Sequence, residues 1–331
     1  VDGAMTVLKI AIVVFVVIVG FFYVKASNFT PFIPPSQPAA ATTGDGAVSA
    51  QMAQPLWQWA TGMTPSIYGV PGILSGAALV FFAFLGFDVV ATASEETKNP
   101  HKNVPLGIGV GMLLIIVMYM LVAIVTTGMV SYKDLAKQDS PSLATAFELV
   151  GADWAAKIIS FGIVLGLATV IMVLLLGLTR IVFAMSRDGL LPRGLSKTGK
   201  YGTPAVLQIV VGVVVALVAA LFDIGVLSDM VNIGTLSAFT LVAISIPIMR
   251  KKRPELPRAF RMPGNPWVPI LIALANFWLM LNLSVLTWIR FLVWLVIGFA
   301  IYFSYGYWHA RLGKGDLSET LSDETDRAVN G

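Results

Sequence analysis

The sequence contains no cysteine and only two histidines in 331 residues. The lack of cysteine excludes disulfide frameworks, thiolate metal sites and cysteine nucleophiles. His101 and His309 both lie in polar flanks, so haem ligation within a bilayer is not expected, and two isolated histidines cannot form an HExxH-type zinc motif. We therefore expect no metal site and no cofactor.

Charged residues are also scarce. They make up 12 % of the chain, whereas 57 % of the residues are hydrophobic and the mean hydropathy is +0.83. Soluble domains carry about 25 % charged residues, so this composition argues against a water-soluble enzyme. It predicts an all-α integral membrane protein embedded in a lipid bilayer. Membrane topology accounts for the net charge of +4, and no nucleic-acid partner is expected.

Apolar runs separated by polar breaks predict about eight transmembrane helices in one transmembrane domain, residues 1–312. The predicted spans are about 7–24, 71–93, 104–126, 155–185, 205–222, 226–248, 266–285 and 289–308. The first run has the alternative interpretation of a signal peptide, although Lys9 is the only positive charge before it. The tail 313–331 is rich in Asp, Glu, Ser and Thr and is expected to be a disordered cytoplasmic segment.

Two segments between spans predict short helices outside the bilayer. The proline-rich stretch 25–70 predicts a loop with at most a short interfacial helix near Trp57 and Trp59. In segment 127–154, Leu143, Phe147 and Val150 fall at helical spacing and predict a helix against the outer face.

Positive charges are concentrated in alternate loops, which predicts the orientation of the chain. In the other loops, fewer positive residues are diluted by acidic ones. Both chain ends are therefore expected on the cytoplasmic side of the plasma membrane. The strongly positive clusters lie at 98–102, 187–200, 250–261 and 311–314.

The second predicted span contains the string FFAFLGFD, residues 81–88, which puts a glycine and a carboxylate near the middle of an apolar run. An ionisable residue at that depth is costly and marks an ion, proton or substrate path. Gly86 tolerates unusual backbone angles, and unwound backbone within a bilayer is tolerated only where it lines a cavity. The alternative is a kinked, fully packed helix in which Asp88 bonds to a neighbour. The side chains expected to wall the cavity are Phe82, Phe84 and Phe87.

Two cations near span ends each have two interpretations. Lys9 begins the first run, and it either snorkels to the interface or is a desolvated amine that exchanges a proton during a transport cycle. Arg180 lies about two helical turns inside its polar boundary, where snorkelling is the simpler interpretation. The acidic residues other than Asp88 are expected in loops or flanks.

Three long strings together resemble the amino acid–polyamine–organocation (APC) superfamily of permeases, and within it the bacterial relatives of cationic amino acid transporters. The first, FFAFLGFDVVATASEETKNPHKNVPLGI, is similar to the family's sixth span and the following loop. The second, TRIVFAMSRDGLLP, followed by GTP at 202–204, is similar to the end of the eighth span. The third, IGTLSAFTLVAISIPIMRKKRPELPRAFRMP, is similar to the tenth span and its basic inner loop.

This resemblance implies the LeuT-like fold, which normally has twelve spans, two inverted repeats and a substrate site halfway across the membrane. The eight spans would be the fifth to the twelfth, so the chain is expected to hold an incomplete LeuT-like (APC) fold without the first four. The implied function is a permease, not an enzyme, that couples uptake of cationic or small neutral amino acids to protons by alternating access.

The resemblance also implies roles for individual residues. Phe82, Ala83 and Leu85 match positions whose backbone carbonyls accept hydrogen bonds from the substrate α-amino group, and Phe82 also resembles a gating aromatic residue. Asp88 matches an acidic position on the coupling path. Lys9 matches a lysine whose amine occupies the place of a sodium ion in sodium-coupled relatives. The predicted substrate site is thus Phe82, Ala83, Phe84, Leu85, Gly86 and Phe87, and the predicted proton-coupling residues are Lys9 and Asp88.

Two further functional classes remain to be compared with a permease. The chain could be a truncated, non-transporting membrane subunit or scaffold that needs a partner, either the missing N-terminal half or a small membrane subunit. An intramembrane enzyme would need a nucleophile or a metal constellation within the spans, and the sequence offers none there.

Overall fold

A computed structural model of the chain describes residues 2–37, 51–63, 68–86, 97, 99–138, 141–192, 194, 204–254, 262 and 264–309. Its eight helices of twelve residues or more are labelled α1 to α8. They are α1 Asp2–Phe21, α2 Gly69–Val80, α3 Pro100–Met129, α4 Asp153–Arg187, α5 Ala205–Leu221, α6 Ile224–Lys252, α7 Trp267–Leu281 and α8 Val285–Ile301.

These helices confirm the prediction of an all-α membrane fold. Four helical stretches are long and apolar enough to cross a membrane, namely Lys102–Met129, Asp153–Arg187, Ile224–Lys252 and Val285–His309. The last of these includes a π-helical turn, Tyr302–Gly306, that continues α8. Four shorter apolar helices accompany them: Met5–Phe21, Gly69–Phe84, Ala205–Leu221 and Trp267–Leu281. Among the described residues, the antiparallel bridge between Pro55 and Ser284 is the one strand-like pairing.

The turn between α7 and α8 lies earlier in the chain than the sequence predicts. The predicted spans 266–285 and 289–308 leave the break at 286–288, whereas the structure has it at residues 282–284. The reason is a helix cap, because the Ser284 hydroxyl accepts a hydrogen bond from the Thr287 amide at 3.2 Å. Residues 286–288, which the sequence predicts as the break, therefore lie in the first turn of α8.

The helices pack into two groups, each with its own buried core. In the first group, α1 packs against α3 and α4, and α5 packs against α4. In the second group, α6 packs against α2, α7 and α8. Core residues of the first group include Val16, Val125, Phe147 and Ile159, and those of the second group include Ala78, Ile233, Leu236 and Met280.

The first group depends on close contact between α1 and its neighbours at two glycines. A Cβ atom added at Gly162 of α4 would overlap the side chain of Ile12. One added at Gly20 of α1 would overlap Val125 and come within 2.8 Å of the Met129 sulfur. Small residues of this kind let membrane helices approach closely and gain van der Waals contact.

Both short helices predicted outside the spans are present. The helix Leu143–Leu149 packs on α4 and buries Phe147 completely. The helix Leu56–Thr61 lies against the start of α8.

The segment that leads into the Leu56–Thr61 helix is bound to the turn between α7 and α8. The Leu56 amide donates to the Leu283 carbonyl at 3.0 Å, and the Val285 amide donates to the Gln54 carbonyl at 3.1 Å. The Trp57 indole N–H donates to Asn282 Oδ1 at 2.9 Å. These bonds fasten the connection between α1 and α2 to the second helix group.

Candidate functional site

Helix α2 stops being α-helical in the string that the sequence singled out. The chain continues from Val80 into a 3₁₀ turn, Phe81–Phe84, and Leu85 is extended with φ −66° and ψ 148°. Gly86 has φ 114°, a conformation that residues with a Cβ atom rarely adopt. We call residues Phe81–Gly86 the break of α2.

The predicted substrate residues occupy this break to different extents. Phe82 and Ala83 are exposed, Phe82 by 45 %, and Phe84, Leu85 and Gly86 are half-buried. Phe87 and Asp88 lie outside the described residues. An exposed aromatic ring beside an unwound backbone is a suitable arrangement for contact with a small ligand.

Two carbonyl groups of the break already accept hydrogen bonds. The Phe82 carbonyl accepts from the Leu85 amide at 3.2 Å, within the 3₁₀ turn. The Ala83 carbonyl accepts from the Tyr119 hydroxyl at 2.9 Å. A carbonyl oxygen has two lone pairs, so each group can accept a second hydrogen bond from an incoming donor.

Tyr119 of α3 is a site residue that the sequence reasoning missed. Besides its hydrogen bond to Ala83, its ring packs edge-on against Phe84, with a centroid distance of 5.2 Å. Tyr119 has the only hydroxyl group between Leu106 and Val125, and that isolation was the available sequence signal. Through Tyr119 the first helix group contacts the break.

Asn232 of α6 is the second missed residue, and it contacts the start of the break from the second helix group. Its side chain is fully buried, and Nδ2 donates to the Leu79 carbonyl at 3.1 Å. Farther along α6, the Phe239 ring packs edge-on against Phe81 at a centroid distance of 6.1 Å. The break therefore lies between donors from two different helices.

Lys9 lies in the first helix group. It is half-buried on α1, and its Cε atom is 4.0 Å from the point that a Cβ atom on Gly166 of α4 would occupy. Thr169, one turn along α4, donates its hydroxyl to the Gly166 carbonyl at 2.7 Å. The structure thus packs Lys9 against α4, whereas the break belongs to the group of α2, α6, α7 and α8.

Asp229 corrects the expectation that all acidic residues other than Asp88 lie in loops or flanks. It lies within α6, and its Oδ2 accepts a hydrogen bond from the buried Thr287 hydroxyl at 3.1 Å. The Ser284 hydroxyl is 2.7 Å from the Thr287 hydroxyl. The pattern misled because Asp229 comes only a few residues after the polar boundary at Asp223. This cluster joins α6 to α8.

In the part of the chain that the structure describes, no group of three or more His, Asp or Glu side chains comes together. The polar groups at the break are backbone carbonyls and the Tyr119 phenol. These groups suit recognition of a hydrogen-bond donor such as an ammonium group.

Comparison with known proteins identifies the family of the chain. A family model described as amino acid permease matches residues 3–307. The chain belongs to the amino acid permease family. The resemblance to the APC superfamily is thereby confirmed.

Several relatives are named as transporters. The chain is 41 % identical over 315 residues to the branched-chain amino acid permease BcaP of Bacillus subtilis, a match that covers 95 % of this chain and 60 % of the relative. It is 38 % identical over 314 residues to the methylthioribose transporter of the same organism, with the same two coverages. It is 44 % identical over 191 residues to the mitochondrial cationic amino acid transporter 3 of Arabidopsis thaliana, which covers 57 % of this chain and 31 % of the relative. The chain therefore spans about 60 % of the length of the two Bacillus relatives that it matches.

Proposed function

We propose that this protein is a proton-coupled amino acid permease that works by alternating access and has no enzymatic activity. The observation that supports the proposal best is the break of α2 in a member of the amino acid permease family. We further propose that residues 1–312 form one transmembrane domain in the plasma membrane, with both chain ends in the cytoplasm. Binding sites at broken helices are the general solution that transporters use for small polar substrates.

The break offers the chemistry that an amino acid requires. The α-ammonium group carries three donors, and the carbonyls of Phe82, Ala83 and Leu85 would accept hydrogen bonds from it. Phe82, at 45 % exposure, would close over the bound substrate, with Phe84 and Phe87 as further walls. Gly86 would let the chain leave the helical path directly after these residues, because its φ of 114° disfavours any other residue.

Proton coupling is assigned to Lys9 and Asp88. Lys9 lies half-buried between α1 and α4, where its amine would gain and lose a proton as the surrounding helices move. Asp88 follows the break by two residues in the sequence. Each elementary charge that crosses the membrane contributes about 2.3 kcal/mol per 100 mV, which is sufficient to drive accumulation.

The candidate substrates are cationic, small neutral and branched-chain amino acids. The first two classes follow from the sequence resemblance, and the third from the name of the Bacillus relative that shares 41 % identity. The side chains of the break itself, Phe81 to Gly86, are uncharged. This favours a substrate whose charged groups are those of the amino acid backbone.

Uptake into proteoliposomes tests the proposal. The chain is joined to the part of the Bacillus subtilis permease that it does not cover, and uptake of labelled leucine, alanine and lysine is measured with and without a pH gradient. The intact Bacillus permease serves as the positive control. We expect gradient-driven accumulation of at least one of these substrates, and no accumulation of any of them by the joined protein would contradict the proposal.

The proton-coupling residues are tested in the same vesicles. Lys9→Met is expected to abolish accumulation driven by the pH gradient, because the exchangeable amine is lost, while insertion into the membrane is preserved. Lys157→Met, at an exposed lysine near the start of α4, is the matched control and should accumulate substrate normally. Normal gradient-driven accumulation by Lys9→Met would refute the role of Lys9.

A partner-dependent membrane subunit is the second candidate function. The observation that favours it is the low burial of the long apolar helices, of which the best-packed, Ile224–Lys252, buries only 22 % of its most apolar window. Such surfaces require lipid or further helices. Uptake by the chain reconstituted alone would contradict this alternative, whereas a stable complex with the complementary part of the Bacillus permease, supplied as a separate chain, would support it.

A further inference from the structure

The most informative unexplained group in the molecule is the side chain of Asn232. It is fully buried in α6, next to Ile233 and near Leu236, both of which are also fully buried. Its Nδ2 donates to Leu79, and among the described residues its Oδ1 has no hydrogen-bond partner. A buried carboxamide in apolar surroundings is costly unless its hydrogen bonds compensate. Its presence here calls for a function.

The carbonyl that Asn232 contacts lies where the helical ladder of α2 changes. In a continuous α-helix the Leu79 carbonyl would accept from the Ala83 amide. Residues Phe81–Phe84 form a 3₁₀ turn instead, with hydrogen bonds between residues three apart. At this transition the Leu79 carbonyl accepts from the Phe81 amide, and its second lone pair is open to another donor. Asn232 supplies one at 3.1 Å.

We propose that Asn232 is a positioning residue that fixes the point at which α2 unwinds, and so fixes the direction of the carbonyls of Phe82 and Ala83. This inference rests on the proposed function of the break as the substrate site. Asn232 acts through the Leu79 carbonyl and does not touch the substrate. Its donor determines where the α-helical ladder ends.

The second contact of the break supports this assignment. Tyr119 binds the Ala83 carbonyl from α3, in the first helix group, whereas Asn232 binds Leu79 from α6, in the second. The two anchored carbonyls are four residues apart, Leu79 before the 3₁₀ turn and Ala83 within it. Asn232 therefore keeps the start of the break attached to the second group when the two groups move relative to each other.

Removal of the carboxamide provides the test. Asn232→Leu keeps a side chain of similar size but leaves the Leu79 carbonyl without this donor. Asn282→Leu is the matched control, because Asn282 is 3 % exposed and likewise donates to a helix carbonyl, that of Trp278, at 2.8 Å. The control lies at the α7–α8 turn, outside the break. Asn232→Ala is the second variant, in case the leucine prevents folding.

The readout is the reactivity of a single cysteine, which the absence of natural cysteine makes possible. Phe82→Cys reports on the break, and Phe277→Cys on α7 is the matched reporter, since both phenylalanines are 45 % exposed. The 331-residue chain, purified in detergent micelles, is labelled with a maleimide under pseudo-first-order conditions. Asn232→Leu is expected to change the rate at position 82 by about fivefold or more, which corresponds to about 1 kcal/mol at 1.4 kcal/mol per factor of ten.

The outcomes separate the possibilities. The proposal requires a changed rate at position 82 in Asn232→Leu or Asn232→Ala, with an unchanged rate at position 277 and unchanged rates at both positions in Asn282→Leu. An unchanged rate at position 82, or equal changes at both reporters, would overturn it. Uptake by the joined permease adds a second readout, in which Asn232→Leu should raise KM more than it lowers the maximal rate. If the parent protein shows no uptake, the proposed function fails, whereas the labelling rates still decide the role of Asn232.

Discussion

The substitution Gly20→Ala provides a quantitative test of the packing between α1 and α3. The added methyl group would overlap a Val125 methyl, lie 2.8 Å from the Met129 sulfur and lie 3.4 Å from the Phe147 ring. Val125 and Met129 are both 3 % exposed and Phe147 is fully buried, so the overlap occurs inside the first core. Overpacking of this kind costs about 1–3 kcal/mol.

The same substitution has the opposite effect where space is open. At Gly212 of α5, an added Cβ atom would meet nothing within 4 Å. Gly212→Ala is therefore expected to stabilise the chain by up to about 1 kcal/mol, through helix propensity alone. Gly20 lies in the last turn of α1, so its propensity gain is no larger. The difference between the two variants is therefore at least the cost of overpacking, about 1–3 kcal/mol, and exceeds it by at most the propensity gain at Gly212.

Both variants are measured by titration of the detergent-solubilised chain with sodium dodecyl sulfate. The fluorescence of the eight tryptophans reports unfolding. Gly20→Ala should lower the free energy of unfolding, and Gly212→Ala should leave it unchanged or raise it. Equal effects of the two substitutions would refute the close contact of α1 with α3 at Gly20.

Two further predictions concern hydrogen bonds that the sequence did not indicate. Tyr119→Phe keeps the ring contact with Phe84 but removes the donor to Ala83, and the loss of about 0.5–1.5 kcal/mol should raise the KM for uptake roughly 2- to 13-fold. Tyr302→Phe is the control and should leave the KM unchanged, because Tyr302 is exposed to a similar extent, 42 % against 40 % for Tyr119. An unchanged KM in Tyr119→Phe would contradict the prediction. Trp57→Phe leaves Asn282 Oδ1 without its indole donor. It should lower the free energy of unfolding by about 1–3 kcal/mol in the detergent titration. No change in that free energy would show that this hydrogen bond is not stabilising.

The fold could be predicted from the sequence because hydropathy is a strong local signal. The apolar runs of α3 and α4 are long, and the structure extends each by a few residues beyond its predicted span, to 100–129 and 153–187. The turn at residues 282–284 was missed because Leu283 is strongly apolar and Ser284 is only weakly polar. What begins α8 there is the N-cap bond between Ser284 and the Thr287 amide, which is a matter of local geometry.

The break of α2 was accessible from sequence, whereas its anchors were not. Gly86 within an apolar run indicates where backbone can unwind. Tyr119 is an isolated hydroxyl in the apolar part of α3, whereas Asn232 is one of several polar residues in α6. Either kind of residue can bond within its own helix or to a neighbour. Their partners are the backbone carbonyls of Ala83 and Leu79, and no sequence pattern specifies which carbonyl a side chain reaches.

The positions of these two anchors connect substrate binding with movement. The 3₁₀ turn at Phe81–Phe84 has weaker hydrogen-bond geometry than the α-helix before it, so it deforms more readily than the rest of α2. Leu79, just before the turn, is attached to α6, and Ala83, within the turn, is attached to α3, and these two helices belong to different helix groups. A shift of one group against the other therefore acts first on this turn and redirects the carbonyls of Phe82 and Ala83. On the proposed function, those same carbonyls hold the substrate amino group, so movement of the helix groups changes substrate affinity without a separate gate.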